Sequence, residues 1–299
     1  MKNKNAKSLL TMFALIAGIV CSQSAPAQTF KRVLVKGGAP LAQIASGGAS
    51  VWARASNGKP YILKAGKFVL ANNLSLTQLA VGGGNAFQAD AVWGLDSSGN
   101  IYTATKSGTS WVFSPAPGVL DFIAVGPGYQ DSCHPYEVWG LNSAALIYRF
   151  NYCIGNWDFV PGTLGTLSVG SGEAWGLNGN GDIFRFDFTT LAFRQVAAPA
   201  TFDQITVGTN AVFVNKFGGY PLFELTRVGQ NTVEGSLIQI QAGGDGVWGL
   251  GSSQQIFRLQ PFAIGFTQIP GALVSISVGS GGGVWGIDST GKAYAFSTP

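Results

Sequence analysis

Histidine is nearly missing from this chain: His134 is the only one among 299 residues, and charged residues make up just 11% of it. A single imidazole leaves a Ser–His–Asp or Cys–His site one position to use, and it makes a poor start for a metal-ligand set. Carboxylates are sparse too, whereas glycoside hydrolysis needs two of them flanking one bond. Asp131, Glu137 and Asp158 are the acids that chain order could bring near one another. Catalysis is therefore not expected, nor is a metal or other cofactor.

Long hydrophobic runs are also lacking. The apolar stretch at residues 9–20 is too short to span a bilayer comfortably. It follows Lys2, Lys4 and Lys7 and precedes Ala25-Pro26-Ala27, the order of a secretory signal with cleavage after Ala27. Lipid attachment at Cys21 would want a small residue where the bulky Val20 stands. Residues 1–27 thus read as a signal peptide and 28–299 as one mature domain, exported to the periplasm or the medium. Removing the three signal lysines from 18 basic residues leaves 15 against 14 acidic ones. That balance offers no electrostatic footprint for nucleic acid or acidic lipid, and no membrane insertion is expected after cleavage.

What the chain has in abundance is glycine, 43 residues of it, and a recurring tryptophan. Val-Trp-Gly-Leu stands at 92–95, 138–141 and 247–250, with variants at Trp52, Trp175, Phe213 and Trp285. Nine residues after each Trp comes Tyr61, Tyr102, Tyr148, Phe184, Phe257 or Tyr294. Nine further on, four copies show Trp111, Trp157, Phe193 and Phe266. A period near forty residues marks an array of small supersecondary units. In residues 163–199, strands are expected at 163–169, 173–177, 182–187 and 193–196, with Asn178-Gly179-Asn180-Gly181 as a hairpin turn. Four short antiparallel strands per repeat describe a propeller blade, and no helical periodicity competes.

Glycine and Trp or Phe partners number seven: Gly47/Trp52, Gly82/Trp93, Gly126/Trp139, Gly170/Trp175, Gly208/Phe213, Gly243/Trp248 and Gly279/Trp285. The expected fold is an all-β propeller of seven blades. The last copy stops after its third strand, and residues 30–34 resemble the fourth strand at 266–270. The mature N-terminus should therefore supply the outer strand of blade seven and close the ring. Blade five, at 210–225, lacks the Trp-Gly step and carries Gly218-Gly219-Tyr220-Pro221 in its turn.

The distance from inner-strand glycine to Trp is five or six in most copies, but eleven in blade two and thirteen in blade three. These insertions should enlarge the loops of one face, where binding function commonly sits. Ser143 lies midway between Cys133 and Cys153, at the tip of the blade-three hairpin, so a disulfide is expected there. A free thiol or a metal site would have only His134 beside it.

Each candidate binding residue carries two readings. Trp93, Trp139, Trp175, Trp248 and Trp285 either pack between blades or expose part of a ring to stack on a ligand. Asp96, Asn142, Asn178 and Asp288 are hairpin residues or ligand contacts. Arg149, Arg185 and Arg258, in Ile-Tyr/Phe-Arg, are solvated or donate hydrogen bonds to a ligand.

Residues 236–297 carry these parts in order: Val247-Trp248-Gly249-Leu250, Ile256-Phe257-Arg258, Phe266-Thr267-Gln268-Ile269-Pro270-Gly271 and Val284-Trp285-Gly286-Ile287. The series resembles the tectonin repeat over essentially the whole mature chain. The resemblance implies a non-catalytic β-propeller lectin of the tectonin and tachylectin-1 kind, binding methylated or microbial-surface glycans at sites repeated around the ring. Tectonin propellers are commonly six-bladed, against seven counted here. The contrasting expectation is an exported scaffold that holds a protein partner through the loops of blades two and three.

Overall fold

The computed structural model describes residues 29–85, 87–196, 201–209, 211–216, 222–226, 229–233, 235–259 and 265–297. The signal-peptide reading of 1–27, and the blade-five turn at 218–221, lie outside the described residues.

Strand β1 (Thr29–Val35) comes first, followed by blade one: β2 (Leu41–Ser46), β3 (Val51–Ala55), β4 (Pro60–Lys64) and β5 (Lys67–Leu70). Blade two is β6 (Gln78–Gly82), β7 (Ala91–Leu95), β8 (Asn100–Ser107) and β9 (Ser110–Val119). Blade three is β10 (Phe122–Asp131), β11 (His134–Leu141), β12 (Leu146–Asn151) and β13 (Asn156–Thr163). Blade four is β14 (Thr166–Gly170), β15 (Glu173–Leu177), β16 (Ile183–Asp187) and β17 (Ala192–Val196). Blade five is β18 (Gln204–Val207), β19 (Val212–Asn215), β20 (Leu222–Thr226) and β21 (Gly229–Val233). Blade six is β22 (Gln239–Gly243), β23 (Gly246–Leu250), β24 (Gln255–Leu259) and β25 (Phe266–Ala272). Blade seven has β26 (Ser275–Val278), β27 (Val284–Ile287) and β28 (Ala293–Ser297). Its fourth strand is β1, antiparallel to β28 from Thr29↔Ser297 to Val33↔Ala293. The end of β1 then pairs in parallel with β5 at Leu34↔Lys67 and Val35↔Phe68, tying blade seven to blade one. Ring closure by the N-terminal strand is therefore as the sequence predicts, and the blades number seven.

The repeat residues explain why each unit folds alike. In the second strand, Gly94 faces Tyr102, and a Cβ at Gly94 would come 2.8 Å from the buried Leu76. Gly140, Gly176, Gly249 and Gly286 likewise make room for Leu120, Leu164, Leu237 and Leu273. The Trp-Gly step thus exists to admit a leucine from the link that enters the same blade. Inner-strand glycines answer to the neighbouring blade instead: a Cβ at Gly170 would stand 2.5 Å from the Val207 carbonyl oxygen.

Between blades, inner strands have unpaired edges that side chains satisfy. Gln43 donates to the Leu79 carbonyl at 2.8 Å and accepts from the Leu79 amide at 2.9 Å. Gln78 does the same with Ile123, and Gln239 with Ile276. Elsewhere a hydroxyl serves: Ser277 accepts from the Ser46 amide and Ser168 from that of Val207.

Blade three departs from the expected loop. Its insertion lengthens β10 and β11 themselves, which pair as far as Asp131↔His134. Cys133 and Cys153 form the disulfide, with Cα atoms 4.9 Å apart. The β11–β12 register, Trp139↔Arg149, centres one residue beyond Ser143, yet the Tyr152 amide donates to the Cys133 carbonyl at 2.9 Å and Cys133 meets Cys153.

Candidate functional site

The blade geometry sorts the predicted residues onto opposite faces. Turns joining first to second and third to fourth strands emerge on one face, here the hairpin face. Second-to-third turns and blade links emerge on the other, the link face.

The tryptophans lie between the blades. Trp52, Trp139 and Trp248 are fully buried, Trp93 and Trp175 are buried, and Trp285 is half-buried. Three of these indoles meet rings from the next blade edge-on: Trp52 with Trp111 at 4.7 Å, Trp93 with Trp157 at 5.7 Å, Trp139 with Phe193 at 5.5 Å. Across the closure, Trp248 meets Phe296 at 4.6 Å and Phe30 of β1 at 5.8 Å, while Trp285 meets Phe68 at 6.0 Å. The aromatic nine residues after each Trp and the one that four blades place nine further on therefore have separate tasks. The first faces the small residue after the Trp of its own blade; the second packs on the Trp of the preceding blade, or on Phe213 in the case of Phe266. Such pairs contribute about 0.5–1.5 kcal/mol each beyond burial.

The arginines belong to a clasp that sequence inspection missed. Trp139 Nε1 donates to Glu137 Oε2 at 2.8 Å, and Arg149 Nε donates to the same oxygen at 2.8 Å. Arg149 Nη2 reaches Glu137 Oε1 at 2.5 Å, and its guanidinium lies 5.6 Å from the Trp139 ring centre. Blade four repeats this with Glu173, Trp175 and Arg185, and blade six with Asp245, Trp248 and Arg258. The recurrence of an acid two or three residues before Trp was the available signal. Exposure differs: the Arg149 and Glu137 side chains are 6% and 0% exposed, those of Arg185 and Glu173 51% and 30%. Burial of Glu137 in this pair also separates it from Asp131, bound to His134, and Asp158, bound to Asn151.

Asp96, Asn142, Asn178 and Asp288 lie on the link face, each closing its turn with one side-chain oxygen. Asp288 Oδ1 accepts the Thr290 and Lys292 amides at 2.9 Å, and the other three accept amides two and four residues on in the same way. The second side-chain atom meets a tyrosine six residues later in three blades. Tyr294 donates to Asp288 at 3.0 Å, Tyr102 to Asp96 at 3.2 Å, and Asn142 donates to Tyr148 at 3.4 Å. Burial pushes the Asp96 and Asp288 carboxyls up, but the hydrogen bonds they receive outweigh it and hold both below the ordinary value. Burial and then the carboxylate bond push the Tyr102 and Tyr294 phenols up, so both remain donors at neutral pH.

Three cavities accompany these residues. The central channel, about 340 Å³, is lined by inner strands of all seven blades. A link-face crevice of about 480 Å³ between blades six and seven is lined by Asp288, Ser289, Tyr294, Phe30, Pro270 and Gly271 among others. A hairpin-face cavity of about 590 Å³ between blades three and four contains Asp131, Arg149, Ser171, Phe188 and Leu191. Of the predicted residues, only Asp288 and Arg149 line these two crevices, one on each face.

Four-stranded blades around a channel, braced by one aromatic wedge per junction, define a seven-bladed β-propeller. The chain belongs to the tectonin family: the Tectonin domain matches residues 27–196 and 201–298. Among solved structures it is similar to YCF48 bound to D1 peptide, with 14% identity and a TM-score of 0.66, covering 92% of this chain and 100% of that one. YCF48 from Cyanidioschyzon merolae gives 12% and 0.63, covering 90% and 98% respectively. The Neurospora crassa Pan2 WD40 domain gives 13% and 0.63, covering 91% and 96%. At these identities the likeness establishes the propeller fold. No curated protein sequence matched the chain.

Proposed function

We propose that this protein is an exported, non-catalytic lectin that binds glycans at Asx–Tyr turns repeated on the link face. The carrying observation is the Asx–Tyr pair at Asp96/Tyr102, Asn142/Tyr148 and Asp288/Tyr294, repeated at one position in three blades. A tyrosine offers a ring face and a hydroxyl, and the neighbouring Asx oxygen or amide offers a second polar group, which together suit a sugar's C–H face and hydroxyls. Tectonin membership supports this reading, and repeated weak sites on one rigid ring add into avidity. The tryptophans serve by holding the crevice walls in register, since their burial removes the ring faces from a ligand.

Export is supported by the N-terminal pattern and the disulfide; among the described residues no helix is long and apolar enough to cross a membrane. The sugar class the family resemblance suggests is methylated or microbial-surface glycan. A glycan array with residues 28–299, followed by titration of hits, tests the proposal. Saturable binding with several sites per chain, and loss of one site in Tyr294→Ala, is expected. A blank array from folded, oxidised protein would sink it.

One observation favours a protein-binding scaffold instead. Phe87, Ile154 and Leu191, at 101%, 62% and 60% exposure, all project from hairpin-face turns of blades two to four. Capture of a protein partner that is lost on replacing these residues, with no sugar binding, would select that reading.

A further inference from the structure

The hairpin-face cavity between blades three and four is unlike the repeated Asx–Tyr turns of the link face. Asp131 lies in the blade-three insertion, so no other blade supplies its equivalent. The adjoining residue pair His134 and Cys133 holds its carboxylate: Oδ1 accepts the Cys133 amide at 2.9 Å, and Oδ2 lies 2.6 Å from His134 Nδ1. The Cys133–Cys153 disulfide ties this turn to β12–β13, so the acidic wall is fixed before any ligand arrives. Opposite it, the Arg149 guanidinium lies 5.2 Å from the Phe188 ring centre, and Leu191 forms an exposed apolar lip. Arg149 spends Nε and Nη2 on Glu137, which leaves Nη1 outside that pair in a side chain that lines the cavity.

The charges decide what fits. Arg149 is already paired with Glu137, so Asp131, held by His134, is the carboxylate that the cavity lining presents without a guanidinium partner. A carboxylate acceptor, a guanidinium donor and an aromatic wall together match adjacent hydroxyls on a sugar with one apolar face. A uronic acid or sugar phosphate would place its charge against Asp131 in a partly enclosed site and be rejected.

We propose that this cavity is a single glycan site, separate from the link-face turns, that takes a neutral or amino sugar and excludes acidic ones. Asp131 receives the ligand's hydroxyl or ammonium protons, Arg149 donates, and Phe188 with Leu191 covers the C–H face. The proposal rests on the lectin reading, but it places a distinct site on the opposite face with its own charge selectivity. The hydrogen bond from the Cys133 backbone amide, followed by that of the His134 side chain, lowers the Asp131 carboxyl below the ordinary range and keeps the acceptor ionised at neutral pH.

The test is calorimetric titration of the disulfide-intact mature protein with chito-oligosaccharide, mannan oligosaccharide and oligogalacturonate. Two variants are compared with it: Asp131→Asn, and Leu191→Asn at a position of positive φ (52°) that asparagine tolerates. The expected result is a tenfold or greater loss of chito- or mannan-oligosaccharide affinity at one site in Asp131→Asn. Leu191→Asn should lose threefold or more, and Tyr294→Ala should leave this site unchanged. If the protein binds sugars and both cavity variants bind as the parent does, the cavity assignment falls while the lectin reading stands. Equal binding of oligogalacturonate that depends on Asp131 overturns the charge selectivity. If the parent binds no sugar on a broad array, both readings fall together.

Discussion

Glu137 shows how much one side chain can organise. It accepts from the Trp139 indole and twice from Arg149, and all three residues are buried. Glu137→Ala would leave a buried guanidinium uncompensated and an indole N–H without its acceptor, at a cost of about 3–5 kcal/mol. The same change at Glu173, where the pair is solvent-exposed, should cost about 1 kcal/mol or less. Urea denaturation of the two variants measures the contrast, and equal losses would refute the burial argument. The turn aspartates make a pH prediction. Their folded pKa values are depressed, so their contribution is complete above the unfolded carboxyl value of about 3.9 and fades as pH falls through the lower folded values. Melting temperature should therefore hold level from pH 7 to about 5 and drop below about 4; a melting point that rose on acidification would contradict it.

At the scale of the element, the blade-three hairpin is the exception that carries new chemistry. Like β8–β9, β10–β11 projects further than most hairpins, and it alone is cross-braced by a disulfide, Cys133–Cys153. Closing that loop of 20 residues contributes on the order of 3 kcal/mol in the chain-entropy model. Paired Cys133→Ser and Cys153→Ser substitution should lower the unfolding free energy by about that amount. Reductant should do likewise to the parent and nothing to the variant. Blade two uses its insertion differently. Asp90 reaches back to blade one and accepts from the Gly48, Ala49 and Ser50 amides and the Ser50 hydroxyl, with the Gly84 amide as a fifth donor. One insertion builds a cavity wall; the other locks a junction beside the ring closure.

For the whole molecule, closure couples the chain ends. β1 completes blade seven, sets Phe30 against Trp248 and hands on to β5 of blade one. Deleting residues 29–35 should therefore expose the β28 edge, open the seam between blades one and seven, and abolish a single cooperative melt. Calorimetry on the truncated chain checks this; an unchanged transition would mean the ring holds without its closing strand. Closure also explains how seven blades tolerate a weak member. Blade five has Phe213 for Trp, and Val214 where most blades have glycine, yet its β18–β21 sheet keeps the same order. Neighbouring blades supply its edges through Ser168 to Val207 and Gln204 to Ile238 and Ile240.

The repeat, the blade count, the closing strand and the disulfide were legible in the chain, because each rests on local period or on the symmetry of a hairpin about its turn. Trp spacing marks second strands, and Gly-Trp pairs count blades whatever the ring's exact shape. The partners of those residues were not legible. Whether Trp139 faces a ligand or the next blade depends on where Phe186 and Phe193 lie, 47 and 54 residues on, and only the assembled ring brings them within 4.6 and 5.5 Å. The arginines looked solvated because their acids sit on a different strand, ten or more residues away. Sequence spacing offered Trp, Asx and Arg alike as candidate ligand contacts, while the antiparallel run of each strand sends the Asx turns and the arginine clasps to opposite faces. Periodicity is a property of the chain; which face a side chain reaches, and what it finds there, belongs to the closed ring.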